Sequence, residues 1–326
     1  MDLSIVIPIY NGALLLDRCL DSIFSQRTQF SYEVILVDDG STDNTVELIK
    51  AREEPNIVLF QQQNAGPAVA RNKGVELAEG KYCAYLDADD YWMPGFIEKT
   101  VSFLEEHKEC VAVSVAQKHC VYGKGANIMP VCYESFTEPA VLVDFYDFWS
   151  KYNHVCTGSS VMKREYMLKV GGQRLDMRVC EDLEFWLNIA SLGKWGFIPE
   201  VLFVSDGGAI VNKLGWKKYV LRFKNVPDYQ LWFSRLKVRL DNTQIHTIKP
   251  ELNGIICGLS RAMISGGDFH RAYKNMKFIY SDAPASYLFK VYKLGIVVWY
   301  LFCMIWRTYQ YVKINKGVIL QKLQVK

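Results

Sequence analysis

The 326-residue chain has no CxxC pair among its nine cysteines, only five histidines, no internal repeat and no low-complexity linker. An odd, scattered cysteine set excludes a disulfide framework and a structural zinc site. It reads as reduced, mostly buried thiols of a cytosolic protein. No histidine stands in a metal-ligand spacing; His154 alone falls near a strand of interest. A spanning helix needs about 20 consecutive apolar residues, and the uncharged run Leu294–Trp306 has thirteen. The run Ser4–Ile9 lacks a basic flank and a cleavage site and is broken by Pro8, Asn11 and Gly12, so it reads as a first strand and not a signal peptide. A dinucleotide-dependent oxidoreductase would need a glycine-rich turn after that strand. Pro8-Ile9-Tyr10-Asn11-Gly12-Ala13 supplies one glycine and no GxGxxG.

What is present points to a folded, polarised molecule. Half the residues are apolar and 13% are aromatic, which argues against disorder. Net charge is +3 in total, but −12 over residues 1–210 and +15 over residues 211–326, with no acid after Asp282. Lys213–Lys249 carries nine basic and two acidic side chains interleaved with aromatics. Basic and aromatic residues on both sides of a short apolar run suit contact with an anionic membrane surface through 211–326, with a buried or oligomer-forming helix as the other reading. The composition shift divides the chain into a domain over 1–210, with halves 1–115 and 116–210, and a mainly helical C-terminal region over 211–326.

Short β-prone runs alternate with helical periodicity over the first 116 residues: strands at Leu3–Ile9, Glu33–Val37, Ile57–Gln61, Tyr82–Leu86 and Cys110–Val115, helices at Leu14–Phe24, Thr45–Arg52, Ala68–Ala78 and Phe96–Glu106. This alternation predicts a Rossmann-like α/β fold, a mostly parallel central sheet flanked by helices. Residues 117–160 are not ordered by pattern. A strand at Thr157–Met162, a helix at Glu181–Leu192 and one or two closing strands in Trp195–Val204 follow. Ligands of such sheets sit beyond the carboxyl ends of the strands. There the sequence places Pro8-Ile9-Tyr10-Asn11, then Asp38-Asp39-Gly40-Ser41-Thr42-Asp43, then Asn64-Ala65-Gly66 leading into Ala70-Arg71-Asn72-Lys73-Gly74, and finally Asp87-Ala88-Asp89-Asp90. Two carboxylates at spacing two just past a strand face one side and suit Mg²⁺ or Mn²⁺. By itself the triplet also reads as a solvated acidic turn capping the next helix.

Together these strand-end motifs resemble, in order and spacing, the family 2 glycosyltransferases of GT-A fold: strongly over about 1–115, moderately over 155–205, very weakly beyond. The resemblance implies an inverting transferase that uses a nucleotide-sugar donor, with a UDP-sugar expected, and a saccharide or lipid-linked saccharide acceptor in cell-surface polysaccharide synthesis. The basic C-terminal region adds the expectation of a protein peripheral on the inner face of the membrane, and no nucleic-acid partner is expected. By the same match Asp39 bonds the base, Pro8 and Tyr10 line the base pocket, Asp87 with Ala88 meets the ribose or phosphate side, and Asp89 ligates the Mn²⁺ or Mg²⁺. Arg71 orients an acidic neighbour or approaches the nucleotide, its bland alternative being a surface ion pair. Glu181-Asp182 matches the acidic pair that supplies the base, here Asp182; the plain reading is two acids complementing a helix N-terminus. Trp186, one turn on, reads as a sugar contact or as core. A non-catalytic nucleotide-sugar-binding protein on the same fold is the alternative function.

Overall fold

The computed structural model describes residues 1–121, 126–128, 136–152, 154–177, 180–206 and 226–283. It divides into two compact units, one of residues 1–215 with 233–247, the other of 216–232 with 248–326.

The first unit begins as the periodicity predicts. Strands β1 (Leu3–Ile9), β2 (Tyr32–Asp38), β3 (Ile57–Gln61) and β4 (Tyr82–Tyr85) alternate with helices α1 (Leu16–Phe24), α2 (Thr45–Lys50) and α3 (Pro67–Leu77). These strands lie in the order β3-β2-β1-β4, all parallel. Ile5, Val6 and Ile7 of β1 are wholly buried, as a central strand covered on both faces requires. Helix α3 starts on Pro67, whose missing N–H costs nothing in a first turn. Its Gly74 lies so close to β1 that a Cβ there would meet Val6 Cγ1 at 2.1 Å. The register pairs Ile9 with Asp38 and Asp38 with Gln61, so the strand ends are level along one edge of the sheet.

The rest of the unit differs in construction. A short strand β5 (Tyr91–Trp92) leads into helix α4 (Phe96–Glu106), and β6 (Cys110–Val121) then runs on past its predicted end to pair with β7 (Ala126–Ile128). Next come β8 (Ala140–Val141), helix α5 (Phe145–Tyr152), β9 (Ser160–Lys163), helix α6 (Arg164–Lys169), helix α7 (Glu181–Ala190) and β10 (Lys194–Ser205). The sheet continues β4-β9-β6-β10-β5, with β9 antiparallel to both its neighbours and β10 parallel to β6. The sheet is therefore mixed but mostly parallel. Trp195–Val204 proves to be one strand, with irregular register at three places. Gly196 admits the Phe103 ring of α4, which a Cβ would strike at 2.1 Å.

In the second unit α8 (Tyr229–Phe233) begins the described part. After α9 (Asn242–Thr247), which belongs to the first unit, come α10 (Lys249–Gly266) and α11 (Phe269–Asn275). Buried Asn275 ties three segments: its Oδ1 accepts from Tyr229 N at 2.7 Å, and its Nδ2 donates to the Ile256 carbonyl and Ser260 Oγ. The C-terminal region is thus helical over its described part. No described helix is long and apolar enough to cross a membrane. The run Leu294–Trp306 and residues 213–225 of the basic stretch lie outside the described residues.

Candidate active site

Backbone turns at the level strand ends shape the site. After β1, Asn11 adopts a left-handed conformation (φ 52°), which asparagine tolerates better than most residues. Its N–H donates to Ser41 Oγ at 2.9 Å and its Oδ1 accepts from Thr42 N at 2.7 Å, joining the turns after β1 and β2. Buried Asp38 caps its own turn through Ser41 N. Asp39 is also buried, 4% exposed. Its Oδ1 accepts from Gln62 Nε2 and Ala65 N, and its Oδ2 from Gly66 N, each at 2.8 Å. Asp39 therefore shapes the Asn64–Gly66 loop that opens α3, with spare acceptor capacity on Oδ2 alone. Pro8 is half-buried within β1, Tyr10 is exposed just beyond it, and Ala88 is buried beside the turn at Gly12.

The acidic run follows β4. Asp87, Asp89 and Asp90 offer carboxylate oxygens within 4.8 Å of one another. Asp89 was expected to bind the cation; Asp90, in the same cluster, was not singled out, although its place directly after the DxD triplet was the available signal. Asp90 is 5% exposed and its carboxyl is pushed up to about 8, first by burial and then by the charges of Asp87 and Asp89. Burial and Asp87 raise Asp89 as well. Three oxygen donors that repel one another fit a hard divalent cation, which would reverse that repulsion.

Arg71 is no surface ion pair. It is buried, its Nη2 donating to Asp87 Oδ1 at 2.7 Å and its Nη1 to Gln173 Oε1 at 3.3 Å. Burial alone would lower its pKa, but the charge and hydrogen bond of Asp87, with Asp182 and Glu181, outweigh this and raise it. Gln173 is placed by an exchange with Asn72: its N–H donates to Asn72 Oδ1 at 2.8 Å and its carbonyl accepts from Asn72 Nδ2 at 2.7 Å. Arg71 Nε, Gln173 Nε2 and the Tyr85 hydroxyl are buried with no hydrogen-bond partner among the described residues. Such uncommitted donors suit an oxygen-rich, anionic ligand.

Asp182 occupies the first turn of α7, where Leu183 N donates to its Oδ1 at 2.9 Å. Desolvation raises its pKa, and Arg71 opposes the rise. Arg71 thus interacts electrostatically with both Asp87 and Asp182. Helix α7 is fixed from below by wholly buried Glu184, which takes a bidentate pair from Arg235, each bond 2.6 Å. Trp186, 2% exposed, belongs to the core. His154 is buried among Phe145, Phe148, Trp195 and Phe197. Sequence reasoning missed Gln173 and Arg235 and gave Asn72 no role beyond its place in a quoted motif, since nothing local to any of them marks its distant partner.

The sequence matches the family model described as "Glycosyl transferase family 2" over residues 4–169. The chain belongs to that family. An uncharacterized glycosyltransferase of Rickettsia felis is 30% identical over 230 residues, covering 70% of this chain and 37% of its own. The minor teichoic acid biosynthesis protein GgaB of Bacillus subtilis is 40% identical over 111 residues, 33% of this chain and 12% of its own. The chain thus spans well under half the length of these curated relatives. The crystal structure of S. aureus TarS 1–349 in complex with UDP-GlcNAc superposes with a TM-score of 0.64 at 19% identity, covering 91% of this chain and 89% of that one. At that identity the likeness speaks for the fold, and the fold is the expected GT-A arrangement.

Proposed function

We propose that this family 2 chain is an inverting glycosyltransferase that moves a sugar from a nucleoside diphosphate, best read as UDP, to a hydroxyl of a saccharide or lipid-linked saccharide in cell-surface polysaccharide synthesis. One observation carries the reading: buried Arg71 bonds the Asp87 carboxylate just past β4 and interacts electrostatically with Asp182 at the start of α7. The UDP-GlcNAc complex of TarS and the teichoic acid role in the name of GgaB support the donor and acceptor class.

In this reading Pro8 and Tyr10 flank the base, and Asp39 accepts from it through the free lone pair on Oδ2. Asp87 and Ala88 meet the ribose and phosphate side. Asp89, with Asp87 and Asp90, would hold Mn²⁺ or Mg²⁺, which when bound neutralises charge on the departing diphosphate. Arg71 holds the Asp87 carboxylate in place through its 2.7 Å hydrogen bond. Asp182 accepts the proton of the acceptor hydroxyl as its oxygen attacks the anomeric carbon. The bond from that carbon to the diphosphate oxygen breaks on the opposite face, so one displacement inverts the centre. A raised pKa suits Asp182 to this task, because a stronger base takes the proton more readily.

A panel of nucleotide-sugars, with saccharide and lipid-linked acceptors, tests the reading by following nucleotide release with and without Mn²⁺ or Mg²⁺. Release that needs both cation and acceptor is expected. Cation-dependent donor binding with no turnover for any pair would favour a non-catalytic donor-binding protein instead. The +15 net charge of 211–326 supports contact of this region with an anionic membrane surface. The full chain should co-float with anionic vesicles at low salt and be released at high salt; failure to float would remove the membrane from the proposal.

A further inference from the structure

The acidic run is held by contacts that the proposed chemistry does not use. Asp90 N donates to the Asp87 carbonyl at 2.9 Å, which closes the turn. At the end of β10, Asp206 N donates to Asp90 Oδ1 at 2.8 Å. Arg18, on α1, reaches both sides of this arrangement: its Nη2 donates to the Asp89 carbonyl at 2.6 Å and its Nη1 to Asp206 Oδ2 at 2.5 Å. Its guanidinium also lies over the Tyr91 ring, 4.9 Å from the centroid. One planar fork therefore clasps the backbone between Asp87 and Asp90 to the strand end that bonds Asp90.

We propose that Arg18 is a positioning residue that, acting with Asp206, holds the Asp87–Asp90 turn in its cation-binding shape. The inference rests on the cation reading of the acidic cluster. The physical case is one of preorganisation. Carboxylates within 4.8 Å of one another repel, and without an anchor the turn would relax by swinging Asp89 outward. The clasp opposes that relaxation through the backbone, leaving the carboxylate of Asp89 free. A lysine would keep the charge but not span both acceptors, because the two N–H directions of the fork are fixed by its plane.

Electrostatics alone predicts the opposite outcome on deletion. Removing a positive side chain from beside a cation site should tighten the site, whereas loss of preorganisation should weaken it. Arg18→Ala combined with Asp206→Asn removes one charge of each sign and so isolates the positioning effect. Mn²⁺ binding to the full chain without donor, read by electron paramagnetic resonance, is the measurement. The double variant should bind Mn²⁺ about tenfold more weakly, the range typical for residues that orient metal ligands, with Arg18→Lys in between and melting temperatures near wild type. In turnover the loss should fall on the Mn²⁺ concentration needed for half-maximal rate and leave kcat at saturating Mn²⁺ nearly intact. Asp89→Asn should abolish Mn²⁺ binding. Abolition by Asp89→Asn with wild-type affinity in both Arg18 variants would overturn the positioning role while sparing the metal site. Wild-type Mn²⁺ affinity in Asp89→Asn would remove the cation reading, and this inference with it.

Discussion

The two halves of the first unit each bring a carboxylate into electrostatic contact with Arg71, by different means. In the donor half, parallel strands β1 to β4 set the positions of Asp38, Asp39 and Asp87, which follow at strand ends once register is fixed. In the other half Asp182 follows no strand directly. It stands at the head of α7, which is tied by a side chain distant in sequence, Arg235 on Glu184. A strand-end site is a by-product of topology. A helix-head site has to be pinned by specific buried polar contacts, and each pin is a point of vulnerability.

The largest expected effect tests the division of labour itself. Asp182→Asn should cut kcat by about 10³-fold, within the range for loss of a general base and equal to about 4 kcal/mol of barrier, with the donor Kd almost unchanged. Calorimetric donor titration beside steady-state rates separates the two. If Asp182→Asn instead weakened donor binding as much as rate, the two halves would not be functionally distinct. The raised pKa gives a second handle. Asp182 works ionised, so the acid limb of kcat should lie above the ordinary carboxylate range, activity falling as pH drops through it.

This difference also explains what could be read from the sequence. Strand and helix positions from β1 to β4 were legible because hydrophobic period and short turns are local, and the observed ends differ by a residue or two. Residues 117–160 were not, because helix α5 and strands β7 and β8 owe their placement to tertiary packing: Phe148 lies 5.1 Å from Phe197, and Gly196↔Val141 pairs across more than fifty residues. Asp87 and Asp89 stood out through their spacing past a strand. The burial of Arg71 did not, since its partners Asp87 and Gln173 come from separate elements. Trp186 was equally ambiguous until the structure placed it in the core.

Arg71 joins the halves, so its removal should damage both. Arg71→Ala strands Asp87 beside Asp89 and Asp90 and empties a buried position. Breaking a buried pair costs about 3–5 kcal/mol. The low end, about 3 kcal/mol, applies here because the Asp87 side chain is 30% exposed. Urea unfolding measures the loss, and donor affinity should fall with it. A variant as stable as wild type would mean that the halves are held together by the sheet alone.

The smallest effect sharpens the contrast between the two cores. The donor-half core around β1 is mostly aliphatic, whereas the second half buries His154, 1% exposed, inside four aromatic rings with neither nitrogen hydrogen-bonded among the described residues. Burial lowers its pKa to about 3, from 6.5 in the unfolded chain. The sign follows from proton counting. Above 6.5 both states carry neutral imidazole and stability is complete; below it the unfolded chain takes up a proton that the folded core refuses. Stability should therefore fall as pH drops from 6.5 towards 3, by about 1.4 kcal/mol per pH unit, or about 2 kcal/mol by pH 5. His154→Phe keeps the ring in place and removes the titrating group. The stability of this variant relative to wild type should rise by that amount between pH 7.5 and about pH 5. A flat difference would mean that His154 protonates within the fold, and that the second core is more open to water than its aromatic packing implies.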